Sequence, residues 1–218
     1  MTYNLPRGYL SYSSMHMWKT NKTQFRTKYY STEPYNFETA YTVFGKYIAE
    51  TLEDKKKTKQ HPVLSKVPLY PVREQPLICT IDDVPIKGYI DSFDKRHKKI
   101  IEIKTGIARN GVPPWDAVKV RKHDQIRLYS LLVKEIFGSV SPLVKLIWLE
   151  TAWKEECETV NFSGTEFRRC SPALDLTGRF EIFERVIEPW EHEFMRKEIV
   201  TCAEEISEDY SRYQRFST

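Results

Sequence analysis

Residues Gly88 to Lys104, GYIDSFDKRHKKIIEIK, constrain this chain more than any other stretch. One apolar strand closes on Asp91, and the next carries Glu102 and Lys104, two residues apart. Side chains alternate faces along a strand, so Glu102 and Lys104 share one face while Ile103 turns to the other. Asp94-Lys-Arg-His97 between them fits a tight turn. If the two strands pair as a hairpin, Asp91 reaches the face of Glu102. Two carboxylates and a lysine then converge, and the Ile103 backbone carbonyl adds a further oxygen. That set suits a hard divalent cation, since Mg²⁺ takes one or two carboxylates and keeps several waters. Such an ion polarises a phosphoryl oxygen and makes a water more acidic. Lys104 would orient that water and offset charge at phosphorus. The competing reading is a solvated hairpin whose carboxylates pair with Arg96 or Lys98.

The pattern around this run alternates helix and strand. Ser11 or Ser13 caps a short helix to about Thr20. A basic aromatic stretch follows through Tyr30, where Tyr12, Trp18, Phe25, Tyr29 and Tyr30 read mainly as core. Phe37, Tyr41, Phe44, Ile48 and Leu52 recur at helical spacing and predict a helix over 36–53. Strands are expected near 67–71, 76–82, 84–91 and 98–104, with Asp82-Asp83 as a hairpin turn. Gly111 and Pro113-Pro114 mark a loop, and a single helix is expected over 116–137. VKLIWLE to Glu150 reads as a buried strand, expected beside 98–104 through a helical crossover. A weak strand near 157–162, another over 178–187, and a long helix from Pro189 to about 214 complete the order. The expectation is one domain over 1–218: a helical part to 60, a core over 61–150, and a strand plus closing helix over 151–218. The fold class is α/β, a central mixed sheet flanked by helices.

Hydrophobic residues make up 40% of the chain and charged ones 29%, as in a soluble globular protein. No apolar stretch is long enough to span a bilayer and no leader pattern opens the chain, so a cytoplasmic protein without membrane contact is expected. Cys79, Cys157, Cys170 and Cys202 have no framework spacing, which suits a reducing compartment. Net charge is only +4, but residues 1–32 hold five bases and no acid, and residues 180–218 hold ten acids and five bases. A basic amino-terminal part suits a polyanion partner on one side. The acids of the closing helix read as surface solvation.

Four motifs fall in a recognisable order. Leu10-Ser-Tyr-Ser-Ser-Met-His-Met-Trp18 comes first, then Phe44-Gly45-Lys-Tyr-Ile-Ala49-Glu50, then Gly88-Tyr-Ile-Asp91 with Glu102-Ile-Lys104, and last Gln125-Ile-Arg-Leu-Tyr129. Together they resemble the PD-(D/E)xK nuclease superfamily and its RecB-like exonuclease branch, which includes phage and CRISPR-associated nucleases. The resemblance implies a restriction-endonuclease-like core and a Mg²⁺- or Mn²⁺-dependent DNA nuclease acting on single strands or ends, in recombination or repair. A structure-specific or restriction-type endonuclease and a catalytically silent nucleic-acid-binding module are the alternatives. Asp91, Glu102 and Lys104 would be catalytic. Asp91, Glu102, the Ile103 carbonyl and Glu50 would hold the metal, with Glu53 in place of Glu50 or neither. Ala49 stands where many relatives carry histidine, and Ile90 replaces the proline of the family name. Gln125 and Tyr129 share a helix face and would bind DNA near the centre, with Arg121, Lys122 and Trp115 as further nucleic-acid contacts. Gly45 would let another backbone approach. Some of these enzymes carry an iron–sulfur cluster, but the scattered cysteines argue against one here.

Overall fold

The computed structural model describes residues 3–31, 39–155, 159–162, 165–168 and 173–217. Asp82 and Asp83 both have positive φ, 47° and 67°, as a two-residue hairpin turn requires. They set the antiparallel register of β1 (Val72–Ile81) on β2 (Val84–Asp94). β2 then pairs with β3 (Lys99–Gly106) over only three positions, Ser92↔Ile101 to Asp94↔Lys99, and the two strands part. β3 runs parallel to β4 (Leu143–Trp153) over seven, and β4 pairs antiparallel with β7 (Leu174–Val186). The five-stranded mixed sheet has the order β1-β2-β3-β4-β7. A second small sheet joins β5 (Thr159–Phe162) and β6 (Thr165–Arg168). Residues 157 and 158 of the expected weak strand lie outside the described residues, as do Cys157 and Cys170.

Helices cover both faces. α1 (Tyr12–Thr20) starts at a Ser11–Ser14 capping box, and Asn21 caps α2 (Lys22–Tyr29). α3 (Ala40–Glu53) begins at Thr39, and residues 36–38 of the expected helix lie outside the described residues. α3 buries Phe44, Ile48 and Leu52 against Ile101, Ile103 and Ile147 on one face. At ordinary apolar transfer values each such side chain contributes about 1.5–3 kcal/mol. α4 (Lys55–Gln60) makes the lysine run a short helix, where a loop or helix end was expected. The opposite face packs α1, α6 (Asp124–Phe137) and α7 (Pro189–Ser217) on Ile86, Ile100 and Trp148. No helix among the described residues is long and apolar enough to cross a membrane.

Two expectations about elements are corrected. Residues 67–71 are not a strand, because Pro68 and Pro71 cannot donate to a ladder, and the strand starts at Val72. The helix expected over 116–137 is broken into α5 (Ala117–Arg121) and α6, with His123 extended at ψ 104° between them.

The charge asymmetry is also corrected. The acids of α7 meet the bases of α1 and α2. Lys22 Nζ lies 2.9 Å from Glu205 and Arg26 Nη2 2.6 Å from Asp209, and Lys19 pairs with Glu198. Trp18 Nε1 donates to Glu205 at 2.8 Å and the Tyr30 hydroxyl to Asp209 at 2.8 Å.

Two glycines behave oppositely. A Cβ on Gly88 would sit 2.8 Å from Tyr129 Cε1, whereas one on Gly45 meets nothing within 4 Å, so Gly45 admits no neighbouring backbone. Gly88→Ala is expected to cost about 1–3 kcal/mol by overpacking. Gly45→Ala, in a helix interior, is expected to stabilise by about 0.5–1 kcal/mol. Urea denaturation of both variants checks the pair.

Candidate active site

The sheet forks where β2 leaves β3. The next step of the Ser92↔Ile101 register sets Asp91 across from Glu102, and there a side chain replaces the ladder. The Ile103 N–H donates to Asp91 Oδ2 at 2.6 Å. The N–H and C=O of one strand residue point to the same edge, so the Ile103 carbonyl also faces the fork, away from β4. Lys104 Nζ donates to Glu102 Oε1 at 2.7 Å and to Gln125 Oε1 at 2.7 Å. Gln125 Nε2 donates to the Tyr129 hydroxyl at 3.0 Å. Glu102 is 1% exposed, and its Oε2 has no hydrogen-bond partner among the described residues.

Alternation fails in both strands at the fork. Val84, Ile86, Ile90 and Phe93 all join the same core cluster, so the last step is three residues instead of two. On β1 the residue opposite Asp91 is Glu74, at φ 46°. The kink turns Asp91 and Glu74 into a cleft of about 340 Å³, together with Gly45, Ala49, Ile103 and Lys104. Lys104 also borders a second groove of about 610 Å³, with Arg7, Tyr9, Lys87, Gln125 and Tyr129.

The charges are strongly coupled. Burial and then the Glu102 carboxylate push Asp91 well above the usual carboxylate range, against the pull of Lys104 and the Ile103 N–H. Burial raises Glu102 too, opposed by Lys104. Burial works against the Lys104 charge, yet Glu102 and Asp91 together hold its pKa above the ordinary value, so it stays an ammonium at neutral pH. Glu74 is pushed up to about 7 by burial, then by Glu53 and Glu102. His123 is pushed down to about 3 by burial and by Lys104, and is neutral.

The chemistry of the donor set fits a divalent cation. Two carboxylates that resist ionising together, one with a buried oxygen lacking any donor, gain most from a positive ion. Among the described residues no three His, Cys, Asp or Glu side chains form a group that could hold a metal, so an ion here would rest on Asp91, Glu102, the Ile103 carbonyl and water. That is a pattern Mg²⁺ favours.

The other expected residues divide. Gln125 and Tyr129 come to the fork. Glu50 does not: α3 presents Gly45, Ile48, Ala49 and Leu52 to the cleft, and Glu50 is exposed, one helical step beyond Ala49. Glu53 is exposed and reaches the site only through its charge on Glu74. Arg121 and Lys122 are exposed and border a separate cavity of about 700 Å³ with Arg127, Arg185 and Trp190. Trp115 packs edge-on to His123 at 4.9 Å. The Asp91 cleft contains one acid the motifs did not indicate, Glu74. It lies in the polar run Arg73-Glu74-Gln75 near the start of β1.

No protein-family model and no curated protein matches this chain. Among solved structures it is similar to a phage related exonuclease from Haemophilus somnus 129PT, at 12% identity over 94% of this chain and 82% of that one, with a TM-score of 0.48.

The raised carboxylates set a pH dependence. An acid whose folded pKa lies above its unfolded one binds more protons when folded, so stability falls as pH rises through that interval. With chelator present, the melting temperature is expected to decline from pH 6.5 to pH 8, above the range in which the depressed His123 adds stability as pH rises. Asp91→Asn, which removes one of the two neighbouring charges, is expected to raise the melting temperature at pH 8 and flatten the decline. Calorimetric melts across that range check both.

Proposed function

We propose that this chain is a divalent-metal-dependent DNA nuclease of RecB-like type, hydrolysing phosphodiester bonds on single strands or at DNA ends. One observation carries the reading: Asp91 and Glu102 flank the fork, Asp91 bonded to the Ile103 N–H and Glu102 to Lys104, near enough that the Glu102 charge acts on Asp91. The delivery of Gln125 and Tyr129 to the same place supports the motif reading. Asp91, Glu102 and the Ile103 carbonyl would hold Mg²⁺ or Mn²⁺. When bound, that ion supplies Lewis-acid polarisation of the phosphoryl oxygen and lowers the pKa of water.

The protein's own groups do the rest. Lys104, fixed by Glu102 and Gln125, is a preorganised positive charge beside the reacting phosphate. It orients the attacking water and offsets charge building on the phosphoryl oxygens. Water attacks phosphorus in line, the bond to the 3′-oxygen breaks, and a 5′-phosphate and a 3′-hydroxyl result, as the family resemblance implies. Gln125 keeps Lys104 in place without adding a negative charge. Arg7 and Lys87, in the groove that Lys104 borders, add positive charge suited to a phosphate backbone.

Asp91→Ala and Lys104→Ala are expected to lower metal-dependent DNA degradation by at least about 100-fold, with circular dichroism unchanged. Activity equal to wild type in both variants sinks the assignment. Binding to DNA should weaken steeply with salt, because counterion release dominates such contacts. A linear duplex, a closed circle and a single strand offered side by side separate an exonuclease from an endonuclease, since only the latter cuts the circle.

A further inference from the structure

We propose that Glu74 is a positioning residue on β1 that strengthens divalent-cation binding at the Asp91–Glu102 fork, in the place of an acid that α3 does not deliver. The inference rests on the reading that this fork holds a divalent cation.

Glu74 has an unusual place. It lies across from Asp91 in the β1–β2 register, and its φ of 46° is in the left-handed region. A glutamate there, in mid-strand, is held against its preference, whereas asparagine or glycine adopts that conformation readily. The wall of the cleft formed by α3 presents Gly45, Ile48, Ala49 and Leu52, all without a carboxylate. Glu74 enters the same cleft from the sheet side.

Its surroundings are anionic. Among the described residues no hydrogen bond or ion pair engages the Glu74 carboxylate, and the charges it interacts with are those of Glu53, Glu102 and Asp91. Glu102 supplies an independent sign of a missing partner, because its Oε2 is buried with no donor. Glu74, Asp91 and Glu102 carry three negative charges when ionised, against the single ammonium of Lys104. That surplus draws a cation into the cleft.

Glu74 does not converge with Asp91 and Glu102 on one point, so it acts on the ion through water. Mg²⁺ and Mn²⁺ retain part of their hydration shell, and a carboxylate beside that shell accepts its hydrogen bonds. Outer partners of this kind change metal affinity by roughly 10–100-fold. The strained backbone at Glu74 is then the means by which β1 aims the carboxylate at the cleft.

The test is a calorimetric titration of Mn²⁺ into the chelator-stripped full chain, run on wild type, Glu74→Gln, Glu74→Asn and Asp91→Asn. Melts without metal accompany each. Both Glu74 variants are expected to bind Mn²⁺ about tenfold more weakly. Glu74→Asn is expected to melt, without metal, at or above the wild-type temperature, because asparagine relieves the left-handed strain. Asp91→Asn is expected to lose binding. Wild-type affinity in both Glu74 variants, with binding lost in Asp91→Asn, overturns the role of Glu74 and leaves the fork intact as a metal centre. A parallel drop in melting temperature and affinity in both Glu74 variants also overturns it, since a merely structural residue behaves that way. Absence of Mn²⁺ binding in wild type, or wild-type affinity in Asp91→Asn, overturns the metal centre and this inference with it.

Discussion

The Lys104 ammonium lies 2.7 Å from both Glu102 Oε1 and Gln125 Oε1, and the architecture around the fork follows from those two contacts. A carboxylate as enclosed as Glu102 costs several kcal/mol in desolvation unless an opposite charge stands beside it. Lys104 is that charge, and it too is drawn partly out of water. Gln125 completes its coordination with a neutral oxygen, so the ammonium is satisfied while the local balance stays negative. Gln125 passes the constraint on to Tyr129, whose ring occupies the space left by the missing side chain of Gly88. Three elements are thereby tied together at one spot, β3 to α6 by a hydrogen bond and α6 to β2 by packing. α6 begins at Asp124, just after the extended His123, and its first turn carries the Gln125 that meets Lys104.

A fork in a sheet leaves a problem for the backbone. Once β3 departs, the free edge of β2 exposes groups that water or another strand must satisfy. The amino-terminal segment answers it. Leu10 N–H donates to the Pro85 carbonyl at 2.8 Å, and Lys87 N–H donates to the Leu10 carbonyl at 2.8 Å. Ser11 follows at once as the cap of α1. The segment that reads as the opening of a helix therefore also serves as a short parallel bridge on β2. It closes the far end of the gap and leaves the near end open at Asp91 and Lys104.

Periodicity and turn chemistry made the mixed sheet, the Asp82-Asp83 hairpin and the parallel placement of β4 beside β3 legible, because each is a local pattern or a chain-connection rule. The meeting of Glu102 and Lys104 was legible for the same reason, because strand alternation puts both on one face. Glu74 was not. Its position depends on a left-handed residue in mid-strand and on a kink shared by two strands, and neither leaves a mark in a hydrophobic pattern. Glu50 misled because sequence proximity to Ala49 says nothing about the turn of roughly 100° that separates adjacent residues on a helix. The break inside 116–137 was hidden because Val118, Val120, Ile126 and Leu128 continue an apolar rhythm across it. The extended His123, half-buried against Tyr12 and Trp115, shows that the rhythm belongs to two helices.

Charge shows how far composition can be carried. A basic start and an acidic end invite the picture of a dipolar molecule that meets a polyanion with its amino-terminal part. In the folded chain those opposite charges are neighbours, since Lys19, Lys22 and Arg26 face the acids of α7. Each exposed pair contributes little, about 0–1 kcal/mol. Their larger effect is on the field, because paired charges cancel beyond a Debye length of about 8 Å at physiological salt. What remains near the fork is a short-range contrast. Carboxylates line the Asp91 cleft on one side of Lys104, and Arg7 and Lys87 line the groove on the other. A phosphodiester drawn by the groove and a cation drawn by the cleft would meet at Lys104, the side chain that borders both.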